Sequence, residues 1–266
     1  MTNTSADPVN SARLASELLR LHSDPTLLTV VNVYDVISAK VVAGTDGTRA
    51  LATASHGIAA TLGYEDGEKI PVEEMLDMVG RIVKVTDLPV TADLEGGYGD
   101  AAETIRRAIG VGAAGANVED QLKPIDEASA QVEAMMGAAE AEGVPDFVLN
   151  ARTDAFILGG DRDPQKSLDD AIARGLAFLE AGAPSVFVPG PLTEEMVTAM
   201  VDAFGERKLT TIGMPGTPSL ARLEELGVAR VSYGPMPQRV ALTALQELVE
   251  EVGRGGVVPS TTRPLN

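Results

Sequence analysis

Eight short apolar runs, rich in β-branched residues, recur along this chain, separated by stretches of helical character. The runs are TLLTVVNVYD (26–35), RALATAS (49–55), PVTADLE (89–95), GANVED (115–120), FVLNART (147–153), SVFVPG (185–190), KLTTIGM (208–214) and ARVSYG (229–234). Between them, VEEMLDMVGRIVKV, AAETIRRAIGVG, ASAQVEAMMGAAEAEG and PQKSLDDAIARGLAFLEAG carry apolar residues at helical spacing. Gly63, Gly143, Gly182 and Gly227 stand where a helix would stop before the next strand. Such alternation calls for parallel strands joined by helical crossovers. Eight repeats with no second zone of composition predict a single α/β domain over 1–266, a closed (β/α)8 TIM-type barrel rather than a doubly wound open sheet. Residues 1–11 and 253–266 stand outside the repeat and read as flexible extensions or subunit-contact segments.

Composition narrows the chemistry. Hydrophobic residues make up 44% of the chain but aromatics only 3%, with no Trp, so the core is built from Ala, Val, Leu, Ile and Met. A formal net charge of −18 argues against nucleic acid and anionic membranes as partners. An anionic ligand would need local positive charge from a metal or an Arg. There is no Cys, which excludes disulfides, thiolate nucleophiles and Cys-ligated zinc. His22 and His56 are the only histidines, so any metal is expected to be a hard cation on carboxylates. The N-terminus lacks an apolar signal core and no apolar run could span a bilayer, so a cytoplasmic protein is expected.

Barrel enzymes carry their reactive groups at the C-terminal ends of the strands. Those positions hold Asn32, Tyr34 and Asp35; Ser55, His56 and Gly57; Asp93 and Glu95; Glu119 and Asp120; and Asn150, Arg152 and Asp154. The last three runs end in PGP, GMPG and SYGP, nearly free of ionisable groups. Asp93 and Glu95 share a strand face, and Glu119 comes from the neighbouring strand. Three converging carboxylates repel unless a cation intervenes, and Mg²⁺, or Mn²⁺, suits oxygen ligands; the same acids could instead cap the following helices. Arg152 could bind an anion bidentately or form an ion pair with Asp154 or Glu119. The N–H groups of Ser55, His56 and Gly57 could hold an anion at a helix N-terminus, or simply make a tight turn. His56 could also act as an acid or base.

NVYDVISAK, ATASHGIAATLGYEDGE, ADLEGGYGD, NVEDQ, NARTDAF, FVPGP, MPGTPS and RVSYGP, in this order, carry a resemblance. From about Leu19 to Val252 the chain resembles the isocitrate lyase and phosphoenolpyruvate mutase superfamily, in a Cys-less, phosphonomutase-like branch. The resemblance implies a modified barrel whose last helix is exchanged between subunits, and a homotetramer built as a dimer of dimers. It implies binding of Mg²⁺ and a small anionic 2-oxo acid or its enolate. By position, Asp93, Glu95 and Glu119 match metal-shell carboxylates, some acting through water. Asp66 matches an acidic residue on the gating side, and Arg152 the arginine that meets the ligand anion. Ser55 to Gly57 match a substrate-carboxylate cradle, and Tyr34 and Asp35 a pocket segment, while Asn150 stands in the NARTD strand as a further substrate contact.

The sequence departs from the resemblance in the loop after NVED. The isocitrate and methylisocitrate lyases carry a catalytic Cys in a Lys-x-Cys-Gly-His loop, and the phosphonomutases a Lys with Asn-Ser. Here the segment reads EDQLKPIDEAS, with Lys123 a partial match. The general acid or base is left among Tyr34, His56 and Lys123. The expected activity is Mg²⁺-dependent carbon–carbon lysis or decarboxylation of a small 2-oxo or 2-hydroxy (di)carboxylate. Phosphonate chemistry (mutase or P–C hydrolase) is the alternative, and a metabolite-binding barrel without turnover is the alternative of another class.

Overall fold

The computed structural model describes residues 8–160 and 162–265. Its strands are β1 (Leu28–Val30), β2 (Asn32–Val33), β3 (Leu51–Thr53), β4 (Val90–Asp93), β5 (Gly115–Glu119), β6 (Val148–Arg152), β7 (Ser185–Val188), β8 (Leu209–Ile212) and β9 (Arg230–Ser232). Its helices are α1 (Pro8–Ser23), α2 (Val36–Ala43), α3 (Ser55–Leu62), α4 (Val72–Val83), α5 (Ala101–Gly110), α6 (Ile125–Ala141), α7 (Pro164–Glu180), α8 (Glu194–Phe204), α9 (Leu220–Glu225) and α10 (Met236–Gly253).

Every expected run forms a strand, and the first is divided at Val31. The sheet order is β1-β9-β8-β7-β6-β5-β4-β3-β2, all parallel. Because β1 pairs with β9 and β2 with β3, the two ends of the sheet lie in one stretch of chain and the barrel closes on itself. Asn32 secures the seam: its Nδ2 donates to the Thr53 carbonyl (2.8 Å) and its Oδ1 accepts from Tyr233 N (2.7 Å) and Gly234 N (2.8 Å). The chain is thus a (β/α)8 barrel. The four glycine stops all adopt positive φ, as helix ends require.

The core is aliphatic, as the composition demands, with Ala, Val, Leu and Ile filling both the strand walls and the inner faces of the helices. Helix α1 packs at the N-terminal ends of the strands. Its Leu18 lies so close to Gly115, the first residue of β5, that a Cβ there would meet it at 2.9 Å. Residues 8–11, expected as flexible or subunit-contact chain, form the first turn of α1, with Ser11 buried and Val9 exposed; residues 1–7 lie outside the described residues. After α10, residues 254–265 form turns and irregular chain, with Val257 and Val258 exposed. No helix among the described residues is long and apolar enough to cross a membrane.

Candidate active site

Parallel pairing puts the C-terminal ends of β3 to β6 side by side, and with them most of the acidic positions. Strand β4 ends on Asp93, whose Oδ2 accepts from both the backbone N–H (3.0 Å) and the hydroxyl (2.7 Å) of Ser55. Helix α3 starts there after Ala54, a residue with no side-chain oxygen to cap it. Asp93 therefore caps α3 from the neighbouring strand. It takes one of the three N–H groups expected to cradle an anion; those of His56 and Gly57 have no partner among the described residues. Gly57 also permits Tyr34 to lie against α3, since a Cβ at that position would come within 2.8 Å of Tyr34 Cβ.

Glu95 is buried although it lies on a loop, and its φ of 50° is strained for a non-glycine residue. Its carboxylate accepts a short bond from the Glu68 backbone N–H and another from the Tyr98 hydroxyl (2.9 Å). Glu68 in turn accepts from Tyr98 N at 2.6 Å. This brings the GYEDGE loop over the acids. Burial pushes the Glu95 carboxyl above its ordinary range, and the charges of Asp66 and Asp93 add to the shift.

Glu119 and Arg152 end the adjacent strands β5 and β6 and are register partners. Arg152 Nη1 meets Glu119 Oε2 at 2.8 Å, while Nη2 and Nε converge on Asp154 Oδ1 at 2.7 and 2.8 Å. The ion-pair alternative for Arg152 is thus present. Even so, burial, aided by Asp154, Asp93 and Glu95, pushes Glu119 up to about 8 against the pull of Arg152. Beside it, Asp120 is structural. It accepts from Leu122 N and Asp154 N (both 3.0 Å), and Arg174 of α7 clamps it at 3.0 Å.

The other expected residues sit apart. His56 Nδ1 is 3.5 Å from Asp66 Oδ2, both well exposed. Lys123 donates to Gln131 (3.1 Å), which donates to the Gly96 carbonyl, so Lys123 reaches the rim. Asn150 departs from the expectation of a substrate contact. It is fully buried inside the barrel, donating to Asn117 and accepting from Ser185 and Thr210. Strand alternation pointed it inward, but only the packing shows that it lies below the mouth. Glu68, Tyr98, Arg174 and Arg230 were not legible as site residues in the sequence. The GYEDGE and GGYGD motifs contain the first two, but nothing local signals their contact.

The chain matches the phosphoenolpyruvate phosphomutase family over residues 18–253. It belongs to the phosphoenolpyruvate mutase family. Within the wider phosphoenolpyruvate mutase/isocitrate lyase superfamily, it is 32% identical over 248 residues to an oxaloacetate decarboxylase of Paraburkholderia xenovorans, covering 86% of this chain and 78% of that one. It is 30% identical over 251 residues to a 2,3-dimethylmalate lyase of Eubacterium barkeri, with 88% and 84% covered. Among solved structures, a candidate phosphonomutase of Burkholderia cenocepacia J2315 superposes with a TM-score of 0.84 at 39% identity, covering 92% of this chain and all of that one.

For a member of this mutase family the acids pose the question of a cation. Among the described residues, no three acidic or histidine side chains converge as a ready set of direct ligands. The donor set still fits Mg²⁺, which keeps several waters and takes one or two carboxylates directly. Asp93 Oδ1 and Glu119 Oε1 carry no hydrogen bond among the described residues, and the raised Glu119 carboxyl marks a site that a cation would relieve. Both oxygens of Glu95 are already engaged, which suits it to act through water.

Proposed function

We propose that this chain is a Mg²⁺-dependent carbon–carbon lyase acting on a small 2-oxo or 2-hydroxy (di)carboxylate, by retro-aldol cleavage or decarboxylation. The observation that carries the reading is the placement of Asp93, Glu95, Glu119, Arg152 and the α3 N-terminus at the same end of the barrel, with Asp93 bonded to Ser55 and Arg152 paired with Glu119. The lyase and decarboxylase relatives support it. When bound, Mg²⁺ supplies positive charge to the 2-oxo end of the substrate as negative charge develops there.

The chain supplies the rest. His56 and Gly57 N–H groups bind one carboxylate at the positive end of α3. Arg152, mostly withdrawn from water, turns part of its fork from Glu119 to the far carboxylate. Proton transfer falls to one of Tyr34, His56 and Lys123. Asp66 and Glu68 bring their loop over the mouth, limiting the access of water.

Assembly belongs to the same reading. Helix α10 exposes Val240, Leu242, Leu245, Val249 and Val252, while Thr29 and Val31 on the outer wall of the first strand are uncovered. Exchange of α10 between subunits of a cytoplasmic homotetramer would cover both.

The test is incubation with Mg²⁺ and a panel of oxaloacetate, 2,3-dimethylmalate and other 2-oxo and 2-hydroxy acids, with products followed by proton NMR. Cleavage of none of them sinks the lyase reading. The 39% identity to a candidate phosphonomutase supports a second reading, so phosphonopyruvate belongs in the panel; its turnover alone would move the assignment to P–C chemistry.

A further inference from the structure

Arg230 lies on β9 in register with Leu28 and Thr210, and Thr210 bonds Asn150 inside the barrel. The side chain is fully buried, and its Nε, Nη1 and Nη2 have no hydrogen-bond partner among the described residues. Arg152 and Arg174, by contrast, are each held by two carboxylates. A guanidinium withdrawn from water with no direct counter-ion is strongly destabilising, so its retention calls for a use.

Two further unpartnered polar atoms belong to the same interior. His22 on α1 bonds the Leu18 carbonyl through Nδ1 (2.9 Å). A carbonyl only accepts, so Nδ1 carries the hydrogen and Nε2 is a bare acceptor, buried without a partner. Thr91 stands two residues before Asp93 and therefore on the same strand face; its Oγ1 is also buried and unpartnered. Its register neighbours are Ala52 and Gly115. Burial and the charge of Arg230 hold His22 down to about 3, and Asp93 is the acid whose charge acts on Arg230. Arg230 thus shares the barrel interior with a neutral His22 on α1 and with Thr91, on the strand face that ends in Asp93.

We propose that Arg230 is a positioning residue of the catalytic site: a permanent positive charge inside the barrel that offsets Asp93 from below and so admits an anionic 2-oxo acid to a mouth otherwise lined by carboxylates. The assignment rests on the proposed function. It explains how a chain with net charge −18 can accept a dianion beside three acids. The charge acts through the low-dielectric interior, where a cation without a close partner has its longest reach.

Opposite changes in cation and anion binding are the signature to look for. The variants are Arg230→Met, close in shape without charge, and Arg230→Lys, which carries the charge only at a pH low enough to protonate a buried amine. The probes are Mg²⁺ alone, then oxalate (a planar dianion resembling the ends of a 2-oxo acid) in saturating Mg²⁺, both by calorimetry. Arg230→Met is expected to melt no lower than the wild type. It should bind Mg²⁺ about threefold to tenfold more tightly and oxalate at least about fivefold more weakly. Arg230→Lys should stay near the wild type for both where its amine is protonated, and approach Arg230→Met as the pH rises. Loss of both affinities together with melting temperature, or no change in either, overturns the proposal. A wild-type protein that binds neither probe refutes the lyase reading instead. In that event the His22 imidazole resonance decides the placement of the charge: its pKa should rise in Arg230→Met and hold in Arg230→Lys, and an unmoved pKa in both overturns it.

Discussion

Asp93 on β4 caps helix α3 of the preceding unit by accepting both the N–H and the hydroxyl of Ser55. In the proposed site this carboxylate would have two duties, holding a helix end through Oδ2 and presenting Oδ1 to a cation. The two can be separated. Asp93→Asn keeps an acceptor for Ser55 and should lose Mg²⁺ affinity by more than about tenfold with little change in melting temperature. Asp93→Ala should lose the affinity and also about 1 kcal/mol of stability, as for a removed helix cap. Unchanged Mg²⁺ binding in both variants, measured by calorimetry, rejects the assigned site.

Arg152 is shared between Glu119 and a nearly inaccessible Asp154. Removing it entirely leaves a buried acid without its partner, so Arg152→Ala should cost about 3–5 kcal/mol in urea unfolding. Arg152→Lys keeps the charge but loses the fork, and oxalate binding should weaken by about 1.5–3 kcal/mol. Normal oxalate affinity in a destabilised Lys variant would make Arg152 a structural ion-pair residue only.

His22 is held neutral in the folded state, its pKa lowered to about 3 by burial and by Arg230. The unfolded chain binds a proton near pH 6.5, so between about 6.5 and 3 it binds more protons than the folded one. The His22 contribution is thus fully present above about 6.5 and is lost as pH falls towards 3. Relative to His22→Leu, which has nothing to titrate there, the wild type should lose about 2 kcal/mol of stability between pH 7.5 and pH 5. Urea midpoints of both proteins across that range provide the check, and parallel curves would contradict it.

Asn32 uses both ends of its amide to join β3 to the loop after β9. Asn32→Ala leaves two backbone N–H groups and a carbonyl unpaired in a buried seam. A loss of about 2–4 kcal/mol is expected, with hydrogen exchange at Tyr233 and Gly234 accelerated before the rest of the barrel.

The apolar face of α10 should be covered by another copy of the chain. Leu245→Asp with Val249→Asp is expected to reduce the assembly to smaller species in light scattering without lowering helix content. A full-length wild-type protein that is monodisperse as a monomer contradicts the exchange.

The alternation of β-rich runs with helical spacing determined the eight strand positions, their parallel order and the end of the barrel that gathers the charge, because strand period and helix period are local properties of the chain. It also placed Asp93, Glu119 and Arg152 at strand ends, where a barrel displays its chemistry. Which of these side chains meet was settled by the fold. Register decides that Arg152 faces Glu119, and packing decides that Asp93 caps a helix and that Asn150 lies below the mouth. The clamp of Arg174 on Asp120 spans 54 residues, and Arg230 enters the interior from the far wall. Contacts between residues so distant in sequence leave no periodic trace, since only closure of the barrel brings them together.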